Sequence, residues 1–271
     1  MTLGSLEAIL AKLGVDRPET DLPGLRQVYA AWCSKVPFDN VLKLVHLAED
    51  RSGPLPGSTS EDFFASWLEH GTGGTCWSGN SALHDLVAAL GFDVARAVAT
   101  MMPTPDAPGP NHGSVVVTLG GDRWIADASI LSGVPLRILE EGEAPEREVL
   151  PRVEWRNGRT TVIWRTLVAP DGFPCRFERI GVDPGEWDAL HQQTAGWGPF
   201  NFAANTRVLR GTTAVGYALG QQFALDPDGV VSVEALDRTG RDRFLVEELG
   251  ISEELVARVP DDRPLPPRPA S

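Results

Sequence analysis

The chain has 271 residues, enough for one large domain or for two or three small packed subdomains. Apolar residues make up 42% of the chain, so a hydrophobic core can form. The formal charge of −13, from 37 acidic and 24 basic residues, argues against nucleic-acid binding, because no basic stripe is available to neutralise phosphates.

The first 90 residues have the apolar spacing of helices. The predicted helices span about residues 6–13, 23–35, 60–68 and 78–90, and loop composition marks residues 51–60. Gly14 and Gly91 follow the first and the last of these helices, as glycine commonly does at a helix end. This part of the chain is therefore expected to form a helical bundle.

From Val94 onward, short strand-like runs alternate with glycine and proline clusters, which indicates an antiparallel β region. The predicted strands span about residues 94–100, 114–119, 123–126 and 160–168, followed by a helix over 181–192. Residues 206–250 mix strand-like runs with a helix over 244–249. The proline-rich residues 260–271 are expected to be extended or disordered.

Three features indicate a cytoplasmic protein. Residues 1–14 lack the basic start and apolar core of a signal peptide, and no apolar run approaches the roughly 18 residues that a membrane helix needs. Cys33, Cys76 and Cys175 lie far apart and form no CxxC pair, so neither a disulfide framework nor a zinc knuckle is expected.

Cys76 is the strongest candidate for a reactive residue, and the other two cysteines are expected to be small buried hydrophobes. It follows Gly73 and Gly74 and stands at the start of a helix predicted from about Trp77. The positive end of a helix and a nearby imidazolium both favour a thiolate, which is the nucleophilic form. The glycines would let the backbone turn sharply and leave the sulfur open to a substrate.

Hairpin geometry places His112 beside Asp127. Gly120-Gly121 predicts a two-residue turn, which pairs Ser114 with Asp127. His112 shares a face with Ser114, so His112 and Asp127 become diagonal neighbours about 7–8 Å apart at the backbone. An imidazole–carboxylate hydrogen bond can span that distance. With Cys76, these residues predict a nucleophilic acyl-transfer site.

Four motifs lie within residues 1–135. They are Gly73-Gly74-Thr75-Cys76-Trp77-Ser78-Gly79-Asn80, Pro37-Phe38-Asp39-Asn40, Leu90-Gly91-Phe92-Asp93-Val94, and the run from His112 through Trp124 to Asp127. These motifs resemble those of the arylamine N-acetyltransferase family. The first resembles its Arg-Gly-Gly-x-Cys-x-x-x-Asn motif and the second its Pro-Phe-Glu-Asn motif. The third resembles the end of the family's catalytic helix, and the fourth its His…Trp-x-x-Asp segment. The remaining residues resemble the family only in length and texture.

The resemblance implies an α+β fold in three parts around a cysteine-protease-like core. A helical bundle carrying the cysteine would span residues 1–92, an antiparallel β-barrel carrying His and Asp would span 93–195, and an α/β lid with a proline-rich tail would span 196–271.

The resemblance also implies a ping-pong reaction without a metal or a permanently bound cofactor. Cys76, helped by His112 and Asp127, would take an acyl group from coenzyme A, the co-substrate, and pass it to an amine. The implied substrate contacts are Phe38, Trp77, Asn111, Gly113, Ile130 and Leu131. The implied coenzyme A contacts are Phe202, Thr206 and Arg210.

Three positions depart from the family motifs. Thr72 stands where the motif has arginine, and Ile130 and Leu131 replace an aromatic and a glycine of the family's Asp-Val-Gly-Phe-Gly. An isoleucine cannot stack on an aromatic substrate, and a leucine adds bulk where the family has none. Simple arylamines and acetyl-CoA are therefore expected to be poor substrates, and an amine from a dedicated biosynthetic pathway is expected to be the preferred acceptor.

Several functions fit these residues. A coenzyme A-dependent N-acyltransferase is one, and an amide synthase that takes a long acyl chain from an acyl carrier protein is another. A cysteine hydrolase uses the same order of Cys, His and Asp, although the motifs at residues 37–40 and 90–94 favour the transferase. A non-catalytic binding protein is the fourth, and the intact Cys76, His112 and Asp127 argue against it. None of these readings includes a nucleic acid or a membrane as partner.

Overall fold

The computed structural model describes residues 3–102 and 109–267. Five helices form most of the N-terminal part: α1 (Leu3–Leu13), α2 (Leu22–Lys35), α3 (Val41–Ala48), α4 (Ser60–His70) and α5 (Cys76–Ala89). Three more follow later in the chain: α6 (Pro184–Gln193), α7 (Arg238–Glu247) and α8 (Glu253–Val256), with a 3₁₀ turn at Pro199–Asn201.

The strands form two antiparallel sheets. The strands are β1 (Phe38–Asp39), β2 (Asp93–Met101), β3 (His112–Leu119), β4 (Asp122–Ile125), β5 (Leu136–Arg137), β6 (Arg152–Arg156), β7 (Arg159–Thr166), β8 (Ala169–Ile180), β9 (Thr206–Arg210), β10 (Thr213–Ala218), β11 (Gln221–Leu225) and β12 (Val230–Ala235). Seven strands in the order β5-β4-β3-β2-β8-β7-β6 form a nearly closed barrel, and five in the order β1-β9-β10-β11-β12 form the second sheet.

The helical part is held together by a large apolar core. Trp32 stacks on Phe63 with ring centroids 5.8 Å apart, and the edge of Phe64 meets Trp32 at 6.1 Å. Asp21 caps α2, since its carboxylate accepts a hydrogen bond from the backbone amide of Gly24 in the first turn. The apolar face of α2 packs into this core. The barrel encloses a separate cluster that includes Val116, Ile125, Val162 and Cys175.

The second sheet joins the C-terminal part to the helices. β1 is its edge strand, and Phe38 pairs with Arg207 while Asp39 pairs with Thr206. α7 and α8 pack on this sheet through a third apolar cluster that includes Leu245 and Val259. None of the helices in the described ranges is long and apolar enough to cross a membrane.

The sequence predicted most of the first 130 residues and less of the rest. Three predicted helices, at 23–35, 60–68 and 78–90, and the first three predicted strands lie within two residues of the observed ones, whereas α1 and α6 each begin three residues away from the predicted start. The twelve-residue strand β8 was missed, because Pro170, Gly172 and Pro174 interrupt its pattern. The helix predicted at 244–249 is instead α7, which begins at Arg238 with Asp237 as its N-cap.

The proline-rich tail is only partly described. Residues 260–267 have no regular secondary structure, and they are hydrogen-bonded to the rest of the chain. Arg263 donates its amide to the carbonyl of Phe202, and Asp262 accepts from Tyr217 and Arg241. Residues 268–271 lie outside the described part of the chain.

Candidate active site

Cys76 is the first residue of α5, one or two residues before the predicted start at about Trp77 or Ser78. Thr75 is the N-cap, and its side chain makes no capping hydrogen bond. The thiol therefore lies at the N-terminus of the helix, the end that carries the partial positive charge of the helix dipole. Cys76 is partly exposed, whereas Cys33 and Cys175 are fully buried, and burial raises the pKa of Cys33 to about 12.

The two glycines before Cys76 are needed for close packing rather than for a sharp turn. Neither Gly73 nor Gly74 has a positive φ. A Cβ on Gly73 would lie 1.8 Å from the carbonyl oxygen of Pro37, and one on Gly74 would lie 2.3 Å from Oγ of Ser78. The loop that leads to Cys76 thus lies flat against β1 and against the first turn of α5.

Asp39 holds this loop. Its carboxylate accepts from the hydroxyl of Thr72 at 2.9 Å and from the amide of Gly73 at 2.6 Å, and its amide donates to the carbonyl of Gly74 at 3.1 Å. Burial raises the pKa of Asp39 to about 6, against the opposing effect of these donors. Thr72, which stands where the family motif has arginine, therefore supports the loop through the hydrogen bond of its uncharged hydroxyl to Asp39.

His112 and Asp127 form a buried pair, as the hairpin register predicted. Leu119 pairs with Asp122 across the Gly120-Gly121 turn, and both glycines have positive φ. The imidazole Nε2 of His112 lies 2.8 Å from Oδ2 of Asp127, and the side chains are 2% and 0% exposed. The other oxygen of Asp127 accepts from the amides of Ser129 and Ile130, at 2.8 and 3.0 Å.

The pair is poised as an imidazolium and a carboxylate. Burial alone would lower the pKa of His112, but the charge and hydrogen bond of Asp127, together with a hydrogen bond to Cys76, raise it to about 10. Burial would likewise raise the pKa of Asp127, yet the charge of His112 and its hydrogen bond hold it below the ordinary value. A proton leaving the Cys76 thiol is therefore well accommodated on His112.

Asn80 links the three segments that carry Cys76, His112 and Asp127. Its amide nitrogen donates to the carbonyl of Cys76 at 3.0 Å and to that of Gly113 at 2.7 Å, and its oxygen accepts from the amide of Ala128 at 2.9 Å. The sequence marked Asn80 only as a motif match. Since it is fully buried, it fixes the spacing of the site.

Tyr29 supports the Asp127 loop and was not foreseen. Its hydroxyl donates to the carbonyl of Asp127 at 2.8 Å and accepts from the amides of Asp127 and Ser132. Tyr29 lies in the apolar stripe of α2, and nothing in the sequence indicates that its hydroxyl binds a loop 98 residues later in the chain.

An aromatic pair lies beside Cys76. Trp77 meets Trp187 of α6 with ring centroids 5.0 Å apart and an interplanar angle of 76°, and Cys76 packs against this cluster. A Cβ on Gly113 would lie 2.4 Å from Trp187 and 2.9 Å from Trp77, so only glycine fits there. Two of the residues predicted to contact substrate, Trp77 and Gly113, are thus placed next to the thiol.

Ile130 and Leu131 lie in the cores rather than on an open wall. Both are 1% exposed; Ile130 packs inside the barrel and Leu131 packs in the helical core. Leu131 has a φ of 52°, in the left-handed region that favours the glycine of the family motif. We therefore expect these two residues to influence substrates through the backbone of the Asp127 loop, not by direct contact.

The other predicted binding residues are engaged within the protein. Phe38 packs edge-on against Phe200 at 5.7 Å, and the side-chain amide of Asn111 bonds to the backbone of Met101. The hydroxyl of Thr206 accepts from the amide of Tyr217. The guanidinium of Arg210 donates to the carbonyls of Ser34 and Glu248, and that of Arg263 lies 5.6 Å from the ring of Phe202. Their roles in binding stay predictions.

Over residues 3–102 and 109–267, no three His, Cys, Asp or Glu side chains converge in the way that metal ligands would. The chemistry that Cys76, His112 and Asp127 offer is that of a thiol assisted by a buried imidazole.

Comparisons with known proteins agree with this geometry. A family model described as N-acetyltransferase matches residues 21–164, more than half of the 271-residue chain. The arylamine N-acetyltransferase of Mycolicibacterium smegmatis is 31% identical over 129 residues, which cover 45% of this chain and 45% of that protein. The match thus spans about half the length of the curated relative.

Solved structures extend the similarity of the fold to nearly the whole chain. The arylamine N-acetyltransferase of Mycobacterium marinum has a TM-score of 0.77 at 19% identity, covering 94% of this chain and 98% of that one. The Salmonella typhimurium enzyme has a TM-score of 0.77 at 18% identity, covering 96% and 98%. A structure of the M. marinum enzyme in complex with CoA also matches, with a TM-score of 0.77 at 18% identity, covering 94% and 98%.

Proposed function

Because the chain belongs to the arylamine N-acetyltransferase family, we propose that it transfers an acyl group from coenzyme A to an amine through a thioester on Cys76. The observation that carries the proposal is the buried His112–Asp127 pair, 2.8 Å from nitrogen to oxygen, placed beside a thiol at the N-terminus of α5. The CoA complex of the M. marinum relative supports the choice of donor.

In the first half-reaction, the Cys76 thiolate attacks the carbonyl carbon of the acyl-CoA thioester. The bond from that carbon to the CoA sulfur breaks, and the CoA thiolate leaves with the proton that His112 carries. Asp127 keeps the imidazole oriented, because both of its oxygens are held by donors within its own hairpin and loop.

In the second half-reaction, the amine nitrogen attacks the acyl carbon on Cys76. The neutral imidazole takes the proton that the amine loses, and the Cys76 thiolate leaves. The site then returns to the thiolate–imidazolium pair, which the raised pKa of His112 favours at neutral pH.

Intact mass spectrometry tests the proposal. The protein is mixed with acetyl-, propionyl-, malonyl- and longer acyl-CoA species in the absence of an amine. A mass gain equal to one acyl group, mapped to Cys76 and lost when an amine is added with formation of the amide, is the expected result. A Cys76→Ala variant that still acquires the acyl group would contradict it.

The same experiment separates transfer from hydrolysis. A hydrolase loses the acyl group to water at the same rate with and without an amine, whereas a transferase releases it faster as the amine concentration rises.

We further propose that the preferred acceptor is not a simple arylamine. The family's aromatic is replaced by Ile130, which is buried in the barrel, and the glycine by Leu131, whose backbone keeps the left-handed conformation. A matrix of acyl-CoA donors against aryl, hydrazine and aliphatic amines, scored by kcat/KM, tests this. Acetyl-CoA with an arylamine or a hydrazine as the best pair would show that the replacements are neutral.

A further inference from the structure

The hydroxyl of Tyr29 is the centre of a hydrogen-bond cluster that closes the loop after Asp127. It donates to the carbonyl of Asp127 at 2.8 Å, and it accepts from the amides of Asp127 and Ser132 at 3.1 and 3.2 Å. The hydroxyl of Ser132 lies 3.0 Å away and donates to the carbonyl of Val134. One oxygen atom of α2 thus ties the first residue of the Asp127–Ser132 turn to the last.

The carboxylate of Asp127 takes its direction from this same turn. Its Oδ1 accepts from the amides of Ser129 and Ile130, at 2.8 and 3.0 Å. Its Oδ2 lies 2.8 Å from Nε2 of His112. The carbonyl of Asp127 also accepts from the amide of Leu131 at 3.1 Å. A change in the backbone of the turn therefore moves the donors that direct the carboxylate towards His112.

The turn contains one residue in an unfavourable backbone conformation. Leu131 has a φ of 52°, in the left-handed region, where the Cβ of an L-residue comes too close to the following carbonyl oxygen. A leucine therefore tends to leave this region, whereas a glycine has no such tendency. The side chain of Leu131 is held by the helical core, and Tyr29 holds the backbone before it, at Asp127, and after it, at Ser132.

Water cannot take the place of the Tyr29 hydroxyl, because the site is buried. Tyr29 and Asp127 are both 0% exposed. Burial raises the pKa of Tyr29 well above its ordinary value, so the hydroxyl keeps its proton and stays a donor at neutral pH. Removing this hydroxyl leaves the amides of Asp127 and Ser132 without their acceptor, and buried groups of this kind are costly to leave unpaired.

We propose that Tyr29 is a positioning residue for the acyl transfer: its hydroxyl keeps the Asp127–Ser132 turn closed against the strain at Leu131. The closed turn keeps the Asp127 carboxylate directed at His112. Because the hydroxyl bonds to the backbone of the turn and not to a reacting atom, its effect on the reaction passes through Asp127. The proposal also accounts for a leucine at a position where the family motif has glycine. It rests on the roles of Asp127 and His112 in the proposed function.

The first test compares the only two tyrosines of the chain. Tyr29→Phe and Tyr217→Phe each remove one hydroxyl and keep the ring. The hydroxyl of Tyr217 donates to Asp262 at 2.7 Å, and its ring packs between the second sheet and α7, so it is a matched control outside the catalytic residues. The measurements are kcat and KM from CoA release, the rate of Cys76 alkylation by iodoacetamide from pH 5 to 10, and thermal melts.

Both variants should melt at a lower temperature than the wild type, since each loses a hydrogen bond. Only Tyr29→Phe should lower kcat, by about tenfold at pH 7, the factor to which one lost hydrogen bond corresponds, with little change in the KM for acyl-CoA. It should also move the alkylation profile of Cys76 towards higher pH, because a misdirected carboxylate supports the imidazolium of His112 less well. If Tyr29→Phe melts lower but keeps the wild-type kcat and alkylation profile, its role is structural and the inference is overturned.

The second test isolates the strain at Leu131. Leu131→Ala and Leu131→Gly both remove the side chain from the helical core, and only the alanine keeps a Cβ and its penalty in the left-handed region. Adding Tyr29→Phe should lower kcat about fivefold more in the alanine background than in the glycine background. Equal losses would show that Tyr29 does not oppose strain at this position. Thermal melts set an assay temperature at which the variants are folded, and where none exists the first test decides.

These outcomes are distinct from failure of the proposed function. If the wild type forms no thioester on Cys76 with any acyl-CoA, the proposed function is wrong, and the inference that rests on it fails too. If the wild type forms the thioester and Tyr29→Phe matches it in kcat and in the alkylation profile, only the role of Tyr29 is refuted.

Discussion

Replacing Asp127 by asparagine tests the core of the proposed mechanism with little change in shape. The carboxylate accepts from His112 on one oxygen and from the amides of Ser129 and Ile130 on the other. An asparagine oxygen can keep the two backbone donors, and then its NH₂ group faces Nε2 of His112. The imidazole must accept there, so its proton moves to the nitrogen that faces Cys76.

The expected loss follows from the pKa of His112, which the structure puts at about 10. Without the Asp127 charge, burial dominates and the imidazole is neutral at pH 7, a fall of at least about three units. At about 1.4 kcal/mol per unit, this removes about 4 kcal/mol of stabilisation from the thiolate–imidazolium pair. We therefore expect alkylation of Cys76 and acyl transfer at pH 7 to fall by about 10³-fold.

The assay compares Asp127→Asn with Asp122→Asn, which changes an exposed carboxylate at the start of β4, the strand that leads to Asp127. Alkylation rates from pH 5 to 10 and CoA release are measured on both, with circular dichroism as the test of folding. Asp122→Asn should retain activity within about twofold, since exposed ion pairs contribute little. A folded Asp127→Asn protein that keeps more than a tenth of the wild-type rate would refute the reasoning.

Three further predictions follow from the same contacts. Iodoacetamide at neutral pH should label Cys76 far faster than Cys33 or Cys175, because both of those are buried and burial raises the pKa of each; equal labelling in the folded protein, read by peptide mass mapping, would contradict Cys76 as the nucleophile. Asn80→Asp should lower the melting temperature and the activity together, because the buried carbonyls of Cys76 and Gly113 lose their donor, at a cost of about 1–3 kcal/mol each. A variant with a normal melting temperature and normal activity would show that Asn80 does not set the spacing of the site. Burial lowers the pKa of His191 to about 4 in the folded protein, below its unfolded value, so the stability that the neutral ring contributes is present near neutral pH and is lost as the pH falls from 6.5 towards 4, by about 3 kcal/mol in total. In parallel thermal melts, His191→Leu should lose less stability than the wild type over that range, and equal losses would contradict the lowered pKa.

Local sequence patterns predicted the placement of the catalytic residues, because these residues lie in short segments whose geometry depends on neighbouring residues in the chain. The Gly120-Gly121 turn fixes the register of one hairpin, and that register alone brings His112 to Asp127. The helix start at Cys76 follows from an amphipathic run and the glycines before it. Both are contacts within or next to one element, where periodicity and turn chemistry decide the geometry.

The supporting contacts could not be predicted, because they join residues that are far apart in sequence. Tyr29 reaches the Asp127 loop across 98 residues, and Lys43 reaches Thr194 across 151. These contacts depend on how α2, α3 and α6 pack in the folded protein, and no periodicity in the sequence predicts that packing. The strand β8 was also missed. Its prolines and glycine have a low β-strand propensity, and pairing with β2 and β7 in the folded protein overrides that propensity.

Leu131 shows how such packing changes the meaning of a motif departure. A leucine in place of a glycine suggests a blocked pocket when only the sequence is read. In the structure, the backbone keeps the φ of 52° that a glycine would adopt, at a cost of about 1–2 kcal/mol, and the side chain turns into the helical core. Burial of a leucine side chain contributes about 1.5–3 kcal/mol, enough to offset that strain. The left-handed backbone at Leu131 and the amides that bind Asp127 are thus compatible with a leucine at this position, so we expect any altered choice of amine to come from the position of this loop relative to Trp77 and Trp187.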